Sequence, residues 1–140
     1  MTDTIRINRL PAITWNRMDI NDIPVTLPAL SGAELTFDTD RAAGASAALA
    51  VETGAGKSAD AVFAGLPVYA IGADAGETVE ALTQCNTFGN QGAILNVTAG
   101  ENSHVTLYTH LKGQENDTMA LRLLLNLGKN ASVRLVELLE

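Results

Sequence analysis

An internal repeat in the last third of the chain constrains its fold more than any other sequence feature. Residues 100–107, Gly-Glu-Asn-Ser-His-Val-Thr-Leu, align with residues 128–135, Gly-Lys-Asn-Ala-Ser-Val-Arg-Leu, with the same glycine, asparagine, valine and leucine in both. Each copy follows a short apolar segment and leads into a segment of alternating polarity. Glycine and asparagine both tolerate the left-handed backbone that a sharp corner needs. The repeat therefore predicts strands that are stacked in a solenoid and joined by Gly-x-Asn corners.

The rest of the chain after residue 30 also favours strands. Short apolar runs separated by glycine or asparagine recur at fairly regular intervals, which is typical of an all-β protein. These runs lie at residues 34–38, 47–51, 67–71, 77–82, 93–97 and 105–109. We expect a single domain in which residues 31–140 form the rungs of the solenoid.

Two helical alternatives remain open at this point. Ser58 is a suitable cap for a short helix that Gly65 would end. Leucine and glutamate favour helices, so residues 119–127 and 133–139 are compatible with helix on propensity alone. The fold prediction is therefore all-β with at most one short helix.

Alternation within the repeat assigns two faces to each strand. Val105 and Leu107 are expected to face the core, as are Val133 and Leu135 in the second copy. The opposite face carries His104, Thr106, Tyr108 and His110 in the first copy. Aromatic residues make up only 4% of the chain, so the core must consist mainly of small and branched aliphatic side chains, which suits thin β layers.

Charge and composition exclude several classes of partner. The net charge is −7 and no basic cluster is present, so nucleic acid and anionic membrane surfaces are not expected to bind. No apolar run approaches the roughly 20 residues of a membrane span. A single cysteine, Cys85, cannot form an intrachain disulfide, and the N-terminus lacks an apolar signal segment. We expect a cytoplasmic location.

Residues 1–30 are expected to form an extended, irregular N-terminal segment. Prolines at positions 11, 24 and 28 remove backbone donors and disfavour helix in the residues before them. Trp15, the only tryptophan, is expected to anchor this segment against the core.

One sequence resembles a phosphate-binding loop but departs from its pattern. Gly54-Ala55-Gly56-Lys57-Ser58 has the Gly-Lys-Ser ending, yet Val51 stands where the motif requires its first glycine. We interpret this stretch as a surface turn.

Cys85, His104 and His110 are weak candidates for metal ligands, and no metal site is predicted. The two histidines are separated by about 20 Å along an extended strand, so they cannot chelate one ion together. Either could pair with Cys85 across neighbouring strands, since cysteine and histidine both bind iron and zinc. Without local ligand spacing, solvent-exposed histidines are the better interpretation.

No catalytic residue is predicted. The chain has no G-x-S-x-G sequence, and Cys85 lies between Gln84 and Asn86, which do not activate a thiol. The carboxylates that could serve as glycosidase acids, Glu77, Glu80, Glu137 and Glu140, are expected at solvent-facing positions or strand ends. We therefore expect a protein that is not an enzyme.

The N-terminal segment contains the motif Leu10-Pro11-x-x-Thr14-Trp15-Asn16. With this motif the segment resembles the start of the SufB/SufD family, the β-helical components of the Suf machinery that assembles iron–sulfur clusters. Residues 66–71 and 76–80 are similar to the first rungs of the family. Residues 96–107 and 125–138 are similar to later rungs, whose corners carry Gly100, Asn102, Gly128 and Asn130.

The resemblance implies a right-handed parallel β-helix and a non-enzymatic, SufD-like role in iron–sulfur cluster assembly. It implies as partners an ABC-type ATPase, SufC, and a SufB-like protein. No cofactor is expected in this chain, and an iron–sulfur cluster would be held at most transiently. The chain is far shorter than family members and is either a fragment or a short relative. Because the cysteine and histidine residues associated with cluster assembly lie in the part that it does not match, none is transferred.

The end of a solenoid exposes strand edges and an apolar layer unless something covers them. We therefore expect self-association through residues 119–140. Two other functions remain open: a small β-helix enzyme acting on carbohydrates, with acidic residues on one face, and a β-sandwich interaction module.

Overall fold

The computed structural model describes residues 3–7, 23–39, 42–46 and 62–140, and every element with both ends in these residues is a strand. The all-β prediction is confirmed. The strands are β1 (Asp3–Ile7), β2 (Ile23–Leu27), β3 (Ser31–Gly32), β4 (Thr36–Phe37), β5 (Ala42–Ser46), β6 (Val68–Ala73), β7 (Thr78–Asn86), β8 (Asn90–Ala99), β9 (His104–Lys112), β10 (Thr118–Leu127) and β11 (Ser132–Leu139).

From residue 68 onward, consecutive strands alternate between two parallel sheets. Strands β6, β8 and β10 pair in parallel in one sheet, and β7, β9 and β11 pair in parallel in the other. Two consecutive strands, one in each sheet, make one rung: β6–β7, β8–β9 and β10–β11. The winding of these rungs into a right-handed β-helix remains a prediction.

The register of the sheets shows that the last two rungs are offset by more residues than the preceding pair. His104 lies beside Ser132, which is the same offset that the repeat shows in the sequence. Thr78 lies beside His104, which is a smaller offset. The corner between β9 and β10 spans residues 113–117, whereas the corner between β7 and β8 spans only 87–89. The longer corner accounts for the larger offset between the last two rungs.

The core lies between the two sheets and is mostly aliphatic. Its largest fully buried apolar side chains are Ile71, Leu95, Val97, Val105 and Leu107. The predicted faces of β9 are confirmed, because Val105 and Leu107 are buried while His104 and Tyr108 are exposed.

The helical alternative for residues 119–127 and 133–139 is wrong, because both segments are strands. Their backbones pair along almost their whole length with β8 and β9, and such pairing overrides the helix propensity of leucine. Residues 62 and 63 are helical, and Gly65 follows with a φ of 77°. The remainder of the predicted short helix lies outside the described residues, as do the predicted strand at 47–51 and the loop at 54–58.

The N-terminal segment contributes the antiparallel strands β1 and β2, with Pro24 opposite Arg6. A two-stranded sheet has only edge strands, where proline is tolerated. Residues 8–22, which include Leu10, Pro11, Thr14, Trp15 and Asn16, lie outside the described residues.

The Gly-x-Asn corners stack on one another, with distinct roles for the two residues. Asn102 and Asn130 both have a φ of 56°, as the sequence predicts. Gly100 and Gly128 do not have positive φ; they are glycine because the preceding corner approaches them closely. A Cβ on Gly100 would lie 2.7 Å from the backbone nitrogen of Ala75. The reason expected for glycine here, a left-handed backbone, was therefore wrong.

A third corner, at residues 74–77, has the same geometry but a different sequence. Gly76 has a φ of 76° at the position equivalent to Asn102, and Asp74 takes the place of Gly100. The Gly76 N–H donates to the carbonyl of Glu101 (2.9 Å), just as the Asn102 N–H donates to that of Lys129 (2.9 Å). Asp74 is compatible with this site because no described corner stacks below it.

Candidate functional site

The two ends of the stacked sheets differ, and the first end is covered. The outer edge of β6 pairs with β5, and Thr83 and Gln84 of β7 pair with the two-residue strand β4, both in antiparallel orientation. Ala33 and Leu35 are buried there, 2% and 5% exposed. The Tyr69 hydroxyl donates to the carbonyl of Ala33 (3.0 Å) and accepts from the Leu35 N–H (3.2 Å), while Phe37 packs against the Tyr69 ring at 5.6 Å. This end is called the closed end.

The second end consists of the last rung, and nothing in the described chain covers it. Within the described residues, strands β10 and β11 each pair on one side only. Their core-facing side chains, assigned by register with buried residues of β8 and β9, form the surface called the open end. These residues are Leu121, Leu123, Leu125, Leu127, Val133, Leu135, Glu137 and Leu139.

The open end exposes a substantial apolar area. Leu125, Leu127, Leu135 and Leu139 are 47%, 52%, 39% and 69% exposed. Together they equal about two fully exposed leucine side chains, and covering them would contribute about 3–6 kcal/mol. Two such ends that meet would cover twice that area, so the gain of about 6–12 kcal/mol is similar to the cost of association, about 4–15 kcal/mol.

A cleft of about 440 Å³ lies beside the open end, at the corner between β9 and β10. Its lining includes the apolar side chains Leu111, Met119 and Leu139 together with the polar Gln114 and Asp117. Asp117 accepts from the backbone N–H groups of Gly89 (2.9 Å) and Gln114 (3.0 Å). These hydrogen bonds hold the corner in place. The lining of the cleft is a mixture of apolar and polar side chains and does not form a recognisable catalytic set.

Glu140 lies at the rim of this cleft, where two basic side chains approach its carboxylate. The Nε2 atom of His110 lies 3.0 Å from Oε2 of Glu140, and Nζ of Lys112 lies 3.7 Å from the same oxygen. The hydrogen bond to His110, followed by the charge of Lys112, lowers the pKa of Glu140. The side chain of Glu140 is about half exposed, 49%, so this arrangement is a surface ion cluster.

The three candidate metal ligands lie on opposite faces of one sheet. Cys85 faces the core, 2% exposed, and burial raises the pKa of its thiol. His104 and His110 face outward on β9, where Nδ1 of His104 lies 2.7 Å from Oγ of Ser132. The structure does not bring either histidine to Cys85. Within the described residues, no group of three histidine, cysteine or carboxylate side chains is arranged to hold a metal ion.

The carboxylates that could serve as glycosidase acids are also dispersed. Glu77 accepts from the Asp74 backbone N–H (2.8 Å) at a corner. Glu80 lies on the outer face of β7, in a row with Thr106 and Arg134. Glu137 is exposed, as predicted for these carboxylates, but it lies at a core-facing position that was not expected for it. The repeat offset could have found this position, because Glu137 repeats the position of Thr109.

The corner residues Gly100, Asn102, Gly128 and Asn130 lie in two stacked corners at one side of the sheets. The side-chain amide of Asn130 donates to Oδ1 of Asn102 (3.2 Å), which links the corners. Their role in the structure is to stack the rungs.

No family model, curated protein or solved structure matches this chain. Among the described residues there is no helix with the length and apolar character to cross a membrane.

Proposed function

We propose that this chain is a non-enzymatic component of iron–sulfur cluster assembly with a SufD-like role, acting in the cytoplasm through protein–protein contacts. The observation that carries the proposal is the parallel pairing of alternate strands, stacked through Gly-x-Asn corners. Such pairing is compatible with a right-handed parallel β-helix, which we propose as the finer description of the fold. The Suf assignment itself rests on the resemblance of the N-terminal motif and of the corners.

The open end is the proposed contact surface. It combines exposed leucines with two strand edges that no described residue pairs with, which are features of surfaces that bind other strands. The proposed partners are the ABC-type ATPase SufC and a SufB-like protein. Self-association through residues 119–140 is proposed as well, and a monomer in sedimentation at high micromolar concentration would contradict it.

An iron–sulfur cluster is proposed to contact this chain at most transiently. Cys85 is enclosed in the core, and both histidines face the opposite side of the sheet. Anaerobic reconstitution with iron and sulfide tests the point, and a stable visible absorption band that disappears in Cys85→Ala would contradict it.

Copurification tests the assembly role. We expect the tagged chain to recover SufC or a SufB partner from cells that express both. Leu139→Asp, at a core-facing position of the open end, should abolish the recovery. Leu138→Asp is the matched control, because this neighbouring leucine is also exposed (52%) but faces outward. Failure of the unmodified chain to recover any Suf protein would contradict the proposal.

The two other functions are less well supported. A glycosidase needs two carboxyl groups about 5–10 Å apart flanking the scissile bond, whereas the row of Glu80 contains Thr106 and Arg134. A β-sandwich module is built from antiparallel sheets, whereas strands β6 to β11 pair in parallel.

A further inference from the structure

An apolar row crosses the outer face of the sheet that contains β7, β9 and β11. Leu82, Tyr108 and Val136 lie side by side on the three strands and point away from the core. Tyr108 and Val136 are 40% and 43% exposed, and Leu82 is half-buried. Polar side chains lie on both sides of this row, and exposed apolar groups with a polar rim are typical of interaction surfaces.

The outer face of the other sheet is different, because the chain itself covers apolar side chains there. Ile94 lies at an outward position of β8 but is only 7% exposed. Arg122 lies beside it on β10, and the centre of the Phe63 ring is 5.5 Å from the guanidinium carbon of Arg122. The exposure of Tyr108 and Val136 is therefore particular to the sheet of β7, β9 and β11.

The row next to the apolar one carries opposite charges on its two sides. Glu80 lies on β7 and Arg134 on β11, with Thr106 of β9 between them. Their Cα atoms are two strand spacings apart, about 10 Å. Within the described part of the chain, neither charged side chain has an ion-pair partner. The face is thus negative on one side of β9 and positive on the other.

We propose that this face binds the same face of a second copy of the chain, related by a two-fold axis that runs along β9. Such an axis places β7 of each copy opposite β11 of the other. Glu80 of each copy then faces Arg134 of the other, so two ion pairs form, and the two Tyr108 side chains meet on the axis. The contact is isologous and closes as a dimer.

The charges select this axis over the other two-fold axis that lies in the face. An axis along the apolar row would set Glu80 opposite Gln84 and Arg134 opposite Leu138, which leaves both charges without a partner. The axis along β9 also keeps the strands of the two copies parallel. Sheets that pack face to face hold their strand directions within about 30° of each other, so this arrangement is an ordinary one.

The size of the face predicts a weak dimer. Three strands of about nine residues make a surface of about 14 by 30 Å, or about 400 Å² in each copy. The total lies below the roughly 1,200 Å² that stable complexes bury. The face runs along the sides of the strands, so it is separate from the open end and goes beyond the contacts of the proposed function.

Charge reversal tests the inference by sedimentation equilibrium at neutral pH. Glu80→Arg and Arg134→Glu each set like charges opposite one another, so each should weaken the dimer at least about tenfold. The double variant reverses both charges and should restore the dimer. An equimolar mixture of the two single variants should also dimerise, because each copy then supplies the charges that the other lacks.

Matched controls separate the paired charges from net charge and from the open end. Glu101→Arg and Lys129→Glu make the same changes of charge at exposed corners and should leave the dimer unchanged. Leu139→Asp alters the open end and should leave this dimer in place. Circular dichroism of each variant checks that the fold is retained.

Each other outcome overturns the inference in a distinguishable way. Unchanged dissociation constants in both single variants would exclude this face, and equal weakening in the corner controls would assign the effect to net charge. A dimer that only Leu139→Asp abolishes would assign association to the open end, in agreement with the proposed function. Monomers throughout would overturn both contacts. Copurification with SufC tests the assembly role independently of these results.

Discussion

Gly128 lies directly against the backbone of Gly100, so that a Cβ on Gly128 would stand 2.9 Å from the carbonyl carbon of Gly100. The same Cβ would lie 2.8 Å from the Glu101 nitrogen. Both neighbours are backbone atoms, held by the hydrogen bond from the Gly128 N–H to the Ala99 carbonyl (2.8 Å). The corners are thus in close backbone contact, which sets the spacing of the rungs.

Gly100→Ala is expected to destabilise the fold by about 1–3 kcal/mol, because the added methyl meets backbone that cannot move aside without separating two corners. Urea unfolding followed by circular dichroism measures the change. Gly72→Ala is the control, since a Cβ on Gly72 has no neighbour within 4 Å. Equal destabilisation of both variants would show that the close approach at Gly100 is unimportant.

Asn102 is expected to contribute through its left-handed backbone and through its side chain. Asn102→Ala should destabilise the fold by about 1–2 kcal/mol, because alanine is strained at a φ of 56°. Asn102→Gly keeps that backbone and removes only the acceptor of the Asn130 amide, so its effect should be smaller. If thermal unfolding shows the glycine variant to be no more stable than the alanine variant, the left-handed backbone at position 102 is not what asparagine supplies.

Tyr69→Phe is expected to destabilise the closed end by about 1–3 kcal/mol, because it leaves the Ala33 carbonyl and the Leu35 N–H buried without their partner. Tyr108→Phe provides the comparison, since Tyr108 is 40% exposed on the outer face. Its free energy of unfolding should change by less than about 0.5 kcal/mol. A similar small change for Tyr69→Phe would mean that water replaces the hydroxyl.

The strands and corners of the last two rungs could be predicted from the sequence, because the alternation of apolar and polar residues and the Gly-x-Asn corners indicate the same boundaries. The alternation around Val105 and Leu107 identified the core-facing side, because side chains of a strand alternate between its two faces. Asn102 and Asn130 were placed at corners because few other residues adopt a left-handed backbone. Residues 119–127 remained ambiguous, since their strand conformation depends on pairing with β8, which lies a whole rung earlier in the chain.

The parts that could not be predicted depend on contacts between rungs. Asp74 and Gly76 form a corner that resembles the others in geometry and not in sequence, so no repeat was visible there. The sequence could not show that Cys85 lies on the opposite face of the sheet from His104 and His110, because that placement requires the register of β7 with β9. The position of Glu137 above Thr109 likewise requires the pairing of β11 with β9.

Acid should weaken the ion cluster at Glu140. The folded state lowers the pKa of this carboxyl, so its stabilising contribution is present above the ordinary carboxyl pKa and is lost as pH falls through the lowered value. His110→Ala removes the largest cause and should raise the pKa of Glu140 toward its ordinary value. Carbon-13 NMR titration of the Glu140 carboxyl measures the shift, and Lys112→Ala should give a smaller one. No change in His110→Ala would mean that the 3.0 Å contact is not formed in solution.

Cys85 is expected to react with thiol reagents only when the sheets open. The thiol is enclosed by the core, and burial raises its pKa, so the reactive thiolate is scarce in the folded protein. Labelling by a soluble aromatic disulfide should therefore be slow in buffer and should accelerate through the same urea range as global unfolding. His104→Ala and His110→Ala should leave the labelling rate unchanged, since both side chains lie on the other face of the sheet. Rapid labelling of the folded protein, altered by either histidine variant, would instead place Cys85 in an accessible site with that histidine and would reopen the case for a metal centre.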